Sequence, residues 1–210
     1  MSRRGGRRWY RDVGKRWLDV AAGTTVMVIA WPLLAVVAVL VRRNLGSPVL
    51  FRQRRPGRDG QPFVLYKFRT MTSSAPGSAV SSDADRLTRF GRWLRSTSLD
   101  ELPQLINVVK GDMSLVGPRP LLFEYLQRYT PVELRRHEVR PGITGLAQVR
   151  GRNALDWQTR LALDVEYVER VSLWLDARIF ALTLWKLVTR EGVSQPGQAT
   201  VEEFRGTMSR

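Results

Sequence analysis

VAAGTTVMVIAWPLLAVVAVLV, from Val20 to Val41, is the stretch whose reading decides the fold. It runs 22 residues without a charge, with Lys15, Arg16 and Asp19 before it and Arg42-Arg43 after it. As a helix it is about 33 Å long, the thickness of the hydrocarbon layer of a bilayer. Pro32 stands in its middle, where it removes a backbone hydrogen bond and crowds the carbonyl four residues back. Two readings follow: a kinked spanning helix, or a helix-break-helix hinged at Trp31-Pro32 that enters and leaves by one face.

The flanks favour re-entry. Before the run stand Arg3, Arg4, Arg7, Arg8, Arg11, Lys15 and Arg16 against one acid, Asp12; after it come Arg42, Arg43, Arg52, Arg54, Arg55 and Arg58. Positive charge marks the cytoplasmic side of a membrane segment. A spanning helix leaves one basic cluster outside the cell; a hairpin keeps both inside. The uncharged run is long for a signal peptide and lacks a small-x-small cleavage site, so it reads as retained.

At 210 residues, the chain has room for one domain plus this anchor. Its net charge of +15 calls for an anionic partner, whether nucleic acid, lipid or phosphorylated substrate. Beside an apolar anchor, the anionic bilayer is the stronger expectation and nucleic acid is not expected. With no cysteine, neither a disulfide framework nor a thiolate metal site is open to it.

Downstream of the anchor, Pro48 to Gln53 and Pro62 to Arg69 alternate as strands around the turn-rich Arg55 to Gly60, a β-hairpin that delivers Lys67 and Arg69. Thr72 to Asp85 is small and polar, a loop. Arg86 to Arg95 reads as a basic amphipathic helix with Leu87, Phe90 and Leu94 on one face, suited to the bilayer interface. Leu102, Leu105, Ile106 and Val109 recur at helical spacing up to a Gly111 stop, and Pro103 requires that helix to start near Asp100. Pro120 opens a helix to about Tyr129. Thr130 to Glu133 has capping-box spacing for a helix to about Val139. After a turn at Pro141 to Gly145, a short extended piece reaches Gly151, and helices follow over 155–171 and 173–189. His137 reads as a surface or interfacial residue. The tryptophans of the last helix suit a core or a membrane interface.

The chemistry concentrates at Asp100-Glu101. A carboxylate at a helix start is held ionised and is a competent nucleophile towards phosphorus. A second carboxylate beside it suits Mg²⁺, which takes one or two carboxylates plus substrate phosphates. Lys67, Arg69, Arg95, Arg119 and Arg152 supply charge for a diphosphate. Read alone, an Asp-Glu pair opening a helix is more often a cap. Two other readings compete, a membrane-tethered nucleic-acid binder and an inert member of an assembly. The first requires aromatics interleaved with basic residues on one strand face, a pattern this chain lacks.

Lys67-Phe-Arg-Thr-Met71, Thr97 to Gln104 (TSLDELPQ), Asp112 to Pro120 (DMSLVGPRP) and Arg140 to Asn153 (RPGITGLAQVRGRN) occur in that order. Together they strongly resemble the bacterial sugar transferase family, the monotopic phosphoglycosyl transferases, over roughly Lys15 to Thr189 and in their minimal catalytic form. The resemblance implies an anchor broken at its proline. It implies that Asp100 attacks the β-phosphate of a UDP-sugar, expels UMP and holds the phosphosugar until polyprenol phosphate takes it. Glu101 matches the magnesium-associated carboxylate. Arg119 and Arg152 fall on substrate-binding positions, with Lys67, Arg69 and Arg95 in neighbouring motifs. Trp31 stands where many members have serine, and Arg150 where an asparagine is expected.

The expected fold is therefore α+β and mainly helical, with a re-entrant membrane helix, amphipathic interfacial helices and a small β-hairpin. It divides into a basic arm (1–14), the membrane helix (15–43), an interfacial catalytic domain on the cytoplasmic face of the inner membrane (44–190) and a flexible tail (191–210). Expected partners are a UDP-sugar, polyprenol phosphate and the anionic bilayer; a homodimer is left open.

Overall fold

The computed structural model describes residues 9–72, 83–151, 155–189 and 203–206. The chain is mainly helical, with two small two-stranded sheets. Helix α1, Lys15–Leu45, follows without interruption from a π-helical turn over Tyr10–Gly14 and carries Pro32 inside it. Together they form one helix long and apolar enough to cross a membrane. Of the basic arm, residues 9–14 are helical, and the Tyr10 hydroxyl donates to Asp176 at 2.6 Å and draws the turn onto the domain.

The two ends of α1 are held differently. At its start, Lys15 pairs with Asp176 at 2.5 Å, and the Asp19 carboxylate accepts the Leu115 N–H at 3.0 Å. Arg16 donates to the carbonyls of Val108 and Val109 at 2.6 and 2.8 Å. At its end, Val37, Val41 and Leu45 are buried against Phe68 and Leu94. Between these ends Val28, Ile29, Trp31 and Val36 stand exposed.

Strands β1 (Leu50–Pro56) and β2 (Pro62–Phe68) form the expected antiparallel hairpin, with Phe51 opposite Lys67 and Arg55 opposite Phe63. The expected basic helix is split. Leu87 leaves it to bridge to Met71, and helix α2 starts only at Arg89, capped by the Thr88 hydroxyl, and ends at Ser96. Helix α3, Gln104–Lys110, stops at Gly111, whose φ of 97° suits the left-handed C-terminal position. The Asn107 side chain donates to Val64 O at 2.7 Å and accepts the Tyr66 N–H at 3.2 Å, tying α3 to β2.

Strand β3, Ser114–Val116, then pairs in parallel with β4, Gly142–Thr144, where a plain turn was expected. Phe123–Arg128 is a 3-10 run rather than an α-helix. The capping box at Thr130 and Glu133 is present, but its helix lasts one turn (Pro131–Leu134) before a 3-10 segment over Arg135–Glu138. Leu146–Arg150, expected as extended, is the short helix α4; it buries Leu146, Ala147 and Val149 on α5 (Trp157–Arg170) and α6 (Leu173–Thr189). On α6, Trp174 and Trp185 face outward, 77% and 64% exposed, the arrangement expected of an interfacial helix rather than a core one. Within the tail, residues 203–206 pack on the domain: Phe204 is buried among Tyr125, Tyr129 and Trp157, and Arg128 pairs with Glu203.

Candidate active site

Asp100 and Glu101 lie in a 3-10 turn, Leu99–Glu101, that precedes α3 rather than opening it. Pro103 occupies the cap position of α3, so the pair is displaced one turn upstream of the start that sequence suggests. Ser98, immediately ahead, has φ 57° and no side-chain cap bond. That left-handed backbone costs a non-glycine residue about 1 kcal/mol and is retained where surrounding packing imposes it. Leu94 and Leu99 supply that packing on either side.

Three elements bring basic side chains to the pair. The end of β2 places Lys67 Nζ 2.9 Å from Glu101 Oε1. The loop after β3 places Arg119 Nη2 2.6 Å from the same oxygen, and Nη1 3.5 Å from Oε2. Helix α2 brings Arg95 close enough for its charge to act on Asp100, with its Nε donating to Thr70 Oγ1 at 3.1 Å. This approach depends on Gly91, because a Cβ there would stand 1.8 Å from the Thr70 carbonyl oxygen.

The Arg119 loop is held from behind. Gly117 N–H donates to Thr144 O at 2.8 Å, and Gly142 N–H to Pro118 O at 3.0 Å. Arg136 donates to Arg119 O at 2.6 Å while its guanidinium pairs with Asp164 at 2.8 Å, both side chains almost fully buried.

The two carboxylates differ sharply. Burial alone would raise the pKa of Glu101, but Arg119 and Lys67 together hold it well below the ordinary range. Asp100 is 7% exposed and receives no hydrogen bond from the described residues. Burial, and then the neighbouring Glu101 charge, push its pKa up to about 6 against the pull of Lys67, Arg119 and Arg95. A desolvated carboxylate with its lone pairs uncommitted is a stronger nucleophile than a solvated one.

The remaining expected residues fall elsewhere. Arg69 is buried, and its donors go to the carbonyls of Leu45, Pro48 and Met71 at 2.8, 3.2 and 3.3 Å. It caps the C-terminal end of α1 instead of facing the pair. Arg152 lies outside the described residues. Trp31 is exposed on α1 next to Pro32. His137 is not on the surface: it is buried with Nδ1 3.1 Å from Gly57 O, and burial followed by the Arg136 charge lowers its pKa to about 4, so it is neutral. Sequence reasoning counted Arg55 only as a flanking charge. The hairpin register puts it on the same face as Lys67, an alternation readable from the strands once the turn is placed.

Among the described residues, no group of three or more His, Cys, Asp or Glu is placed to hold a metal ion. Two adjacent carboxylates do fit Mg²⁺ when substrate phosphates complete the shell. Glu101 Oε2, with only the 3.5 Å approach of Arg119, is the oxygen with capacity left for it.

A buried carboxylate with no hydrogen bond from the described residues thus stands beside a clamped one, on a domain that carries a helix long and apolar enough to cross a membrane. The chain belongs to the bacterial sugar transferase family, whose pattern matches residues 10–190. It is 48% identical to the uncharacterized sugar transferase EpsL of Bacillus subtilis, over 92% of this chain and 96% of that one. It is 42% identical to the UDP-glucose:undecaprenyl-phosphate glucose-1-phosphate transferase of Caulobacter vibrioides, over 86% of this chain and 72% of the relative. The undecaprenyl-phosphate galactose phosphotransferase of Salmonella typhimurium is 39% identical over 85% of this chain, which covers 41% of that longer protein.

Proposed function

We propose that the protein transfers a phosphosugar from a UDP-sugar to polyprenol phosphate in two displacements, beginning glycoconjugate or exopolysaccharide assembly. The observation that carries this reading is the pair itself, with Asp100 buried and unbonded and Glu101 clamped by Lys67 and Arg119. An Asp100 oxygen attacks the β-phosphorus; the bond from that phosphorus to the bridging oxygen breaks, and UMP leaves with the electron pair. The acyl-phosphate on Asp100 is then attacked by a phosphate oxygen of polyprenol phosphate, which releases the carboxylate and forms the diphospho-sugar lipid. Lys67 and Arg119 neutralise the charge that accumulates on the transferring phosphate. Glu101, with substrate phosphates, would hold Mg²⁺, whose chemistry is to withdraw charge from phosphoryl oxygens. Mixing wild-type enzyme with a UDP-sugar and no acceptor should release about one equivalent of UMP in a burst. Release only after polyprenol phosphate is added would favour direct displacement.

The same reading puts the catalytic domain on the cytoplasmic face, with α1 kinked at Pro32 and both its ends kept on that side, although the helix itself is continuous through the proline. Three facts support it: both ends of α1 contact one domain, the residues between are exposed, and both flanks are basic. The chain has no cysteine of its own. Single cysteines at Arg11 and at Ser47 should therefore be labelled from one face of sealed vesicles, and labelling from opposite faces would sink the hairpin.

A further inference from the structure

The described piece of the tail, residues 203–206, is held by polar bonds as well as by burial. The Phe204 N–H donates to the Tyr125 hydroxyl at 3.2 Å, and Arg128 donates both to the Phe204 carbonyl and, at 2.7 Å, to Glu203. Bonds to both backbone groups of one residue fix its register, which apolar contact alone does not do. Phe204 is 2% exposed, and its ring centroid lies 5.5, 5.5 and 5.3 Å from those of Tyr125, Tyr129 and Trp157.

What this plug completes is the support of Arg119, and two routes lead there. Leu121, two residues beyond Arg119, is buried in the same apolar cluster as Phe204. Tyr129 stacks on Phe204, and its hydroxyl accepts from Arg136 Nη1 at 3.4 Å. Nη2 of the same guanidinium donates to Arg119 O at 2.6 Å. Arg119 Nη2 in turn stands 2.6 Å from Glu101 Oε1. The path from the tail to the carboxylate pair therefore runs through direct contacts alone. With its side chain 43% exposed, Arg119 is confined less by packing than by the position of its backbone. Ordering so long a side chain costs rotamer freedom, and an offset of about 1 Å at a reacting centre costs on the order of 10²-fold in rate.

We propose that Phe204 is a positioning residue of the active site: docked in its aromatic slot, it fixes the backbone at Arg119 and so the clamp on Glu101. This rests on the role given to Arg119 in phosphosugar transfer above. Phe204 touches no reacting atom; it acts through Leu121 on one route and through Tyr129 and Arg136 on the other.

The test is a double-mutant cycle on the full-length enzyme in lipid nanodiscs with Mg²⁺. It is read as UMP release at saturating UDP-glucose or UDP-galactose, whichever the wild type uses faster, and each rate is divided by the folded fraction from circular dichroism. Phe204→Ala should slow release about tenfold in the wild-type background. In an Arg119→Gln background the same change should slow it less than about threefold, because the residue it positions is already gone. A loss of less than about threefold in the wild-type background overturns the inference. So does an equal loss in both backgrounds, the result expected if Phe204 only holds the fold together. If Phe204→Ala does not fold, Phe204→Leu, which keeps the burial and loses the stacking on Tyr129, is judged by the same threefold limit. The readings fail separately. A wild type that releases UMP only with polyprenol phosphate present loses the covalent step, and the cycle run with that acceptor still decides on Phe204; a normal burst without coupling to Arg119 strikes the tail's role alone.

Discussion

Two regions of buried charge sit in this domain and they are built on opposite principles. Around Asp176 and Asp164 each anion is met. Asp176 accepts from Lys15, Tyr10 and Tyr167, and Asp164 accepts Nε and Nη2 of Arg136 at 3.1 and 2.8 Å. Around Asp100 the matching is incomplete: Glu101 absorbs Lys67 and Arg119, and Asp100 receives no donor from the described residues. Fully partnered buried charge locks elements together, here α1 to α6 and the Arg119 loop to α5. Incompletely partnered charge is energy held in reserve for a ligand.

The largest test of that contrast is Asp100→Asn. An amide forms no acyl-phosphate, so the UMP burst should fall by about 10⁴-fold or more. The same change should stabilise the fold. Because the folded-state pKa of Asp100 is raised to about 6, its contribution to stability is fully present below about pH 4 and is lost as the pH climbs through 6. Removing the charge should recover about 3 kcal/mol at pH 8, read as a higher melting temperature that converges with wild type near pH 4. A variant that melts lower at pH 8 would show that Asp100 is partnered after all.

Asp164→Asn should behave in the opposite sense. It strands Arg136 in the interior and should cost about 3–5 kcal/mol of stability. Denaturant unfolding would measure it, and the pair Arg136→Met with Asp164→Leu should recover much of the loss. If the single variant is neutral, the contrast between the two regions collapses.

Glu101→Gln comes next, lowering the UMP burst rate about 10²- to 10³-fold by releasing the clamp on Lys67 and Arg119. Added Mg²⁺ should restore a minor share. The smallest effect is that of pH on the wild type. With half-ionisation of Asp100 near 6, the burst should slow about tenfold between pH 7.5 and 5. A burst independent of pH in that window would remove Asp100 ionisation from the rate.

What sequence alone determined lies where the cause is local. A run of 22 uncharged residues is a membrane-length helix whatever surrounds it. Thr130 and Glu133 cap their turn through bonds three residues apart, and Gly111 ends α3 through its own backbone freedom. The Asp100-Glu101 pair was legible as a candidate too, though only when read with the family motifs around it.

The tertiary structure decided whatever depends on partners far along the chain. Arg69 looks like a substrate ligand until its guanidinium meets the carbonyl of Leu45, 24 residues earlier. His137 looks exposed until Gly57, 80 residues away, covers it. Leu146–Arg150 has the apolar content of either a strand or a helix, and packing on α5 and α6 selects the helix. Local periodicity carries no information about such contacts, because burial and charge matching are properties of the assembled domain, and they alone separate an arginine that caps a helix, Arg69, from one that clamps a carboxylate of the candidate site, Arg119.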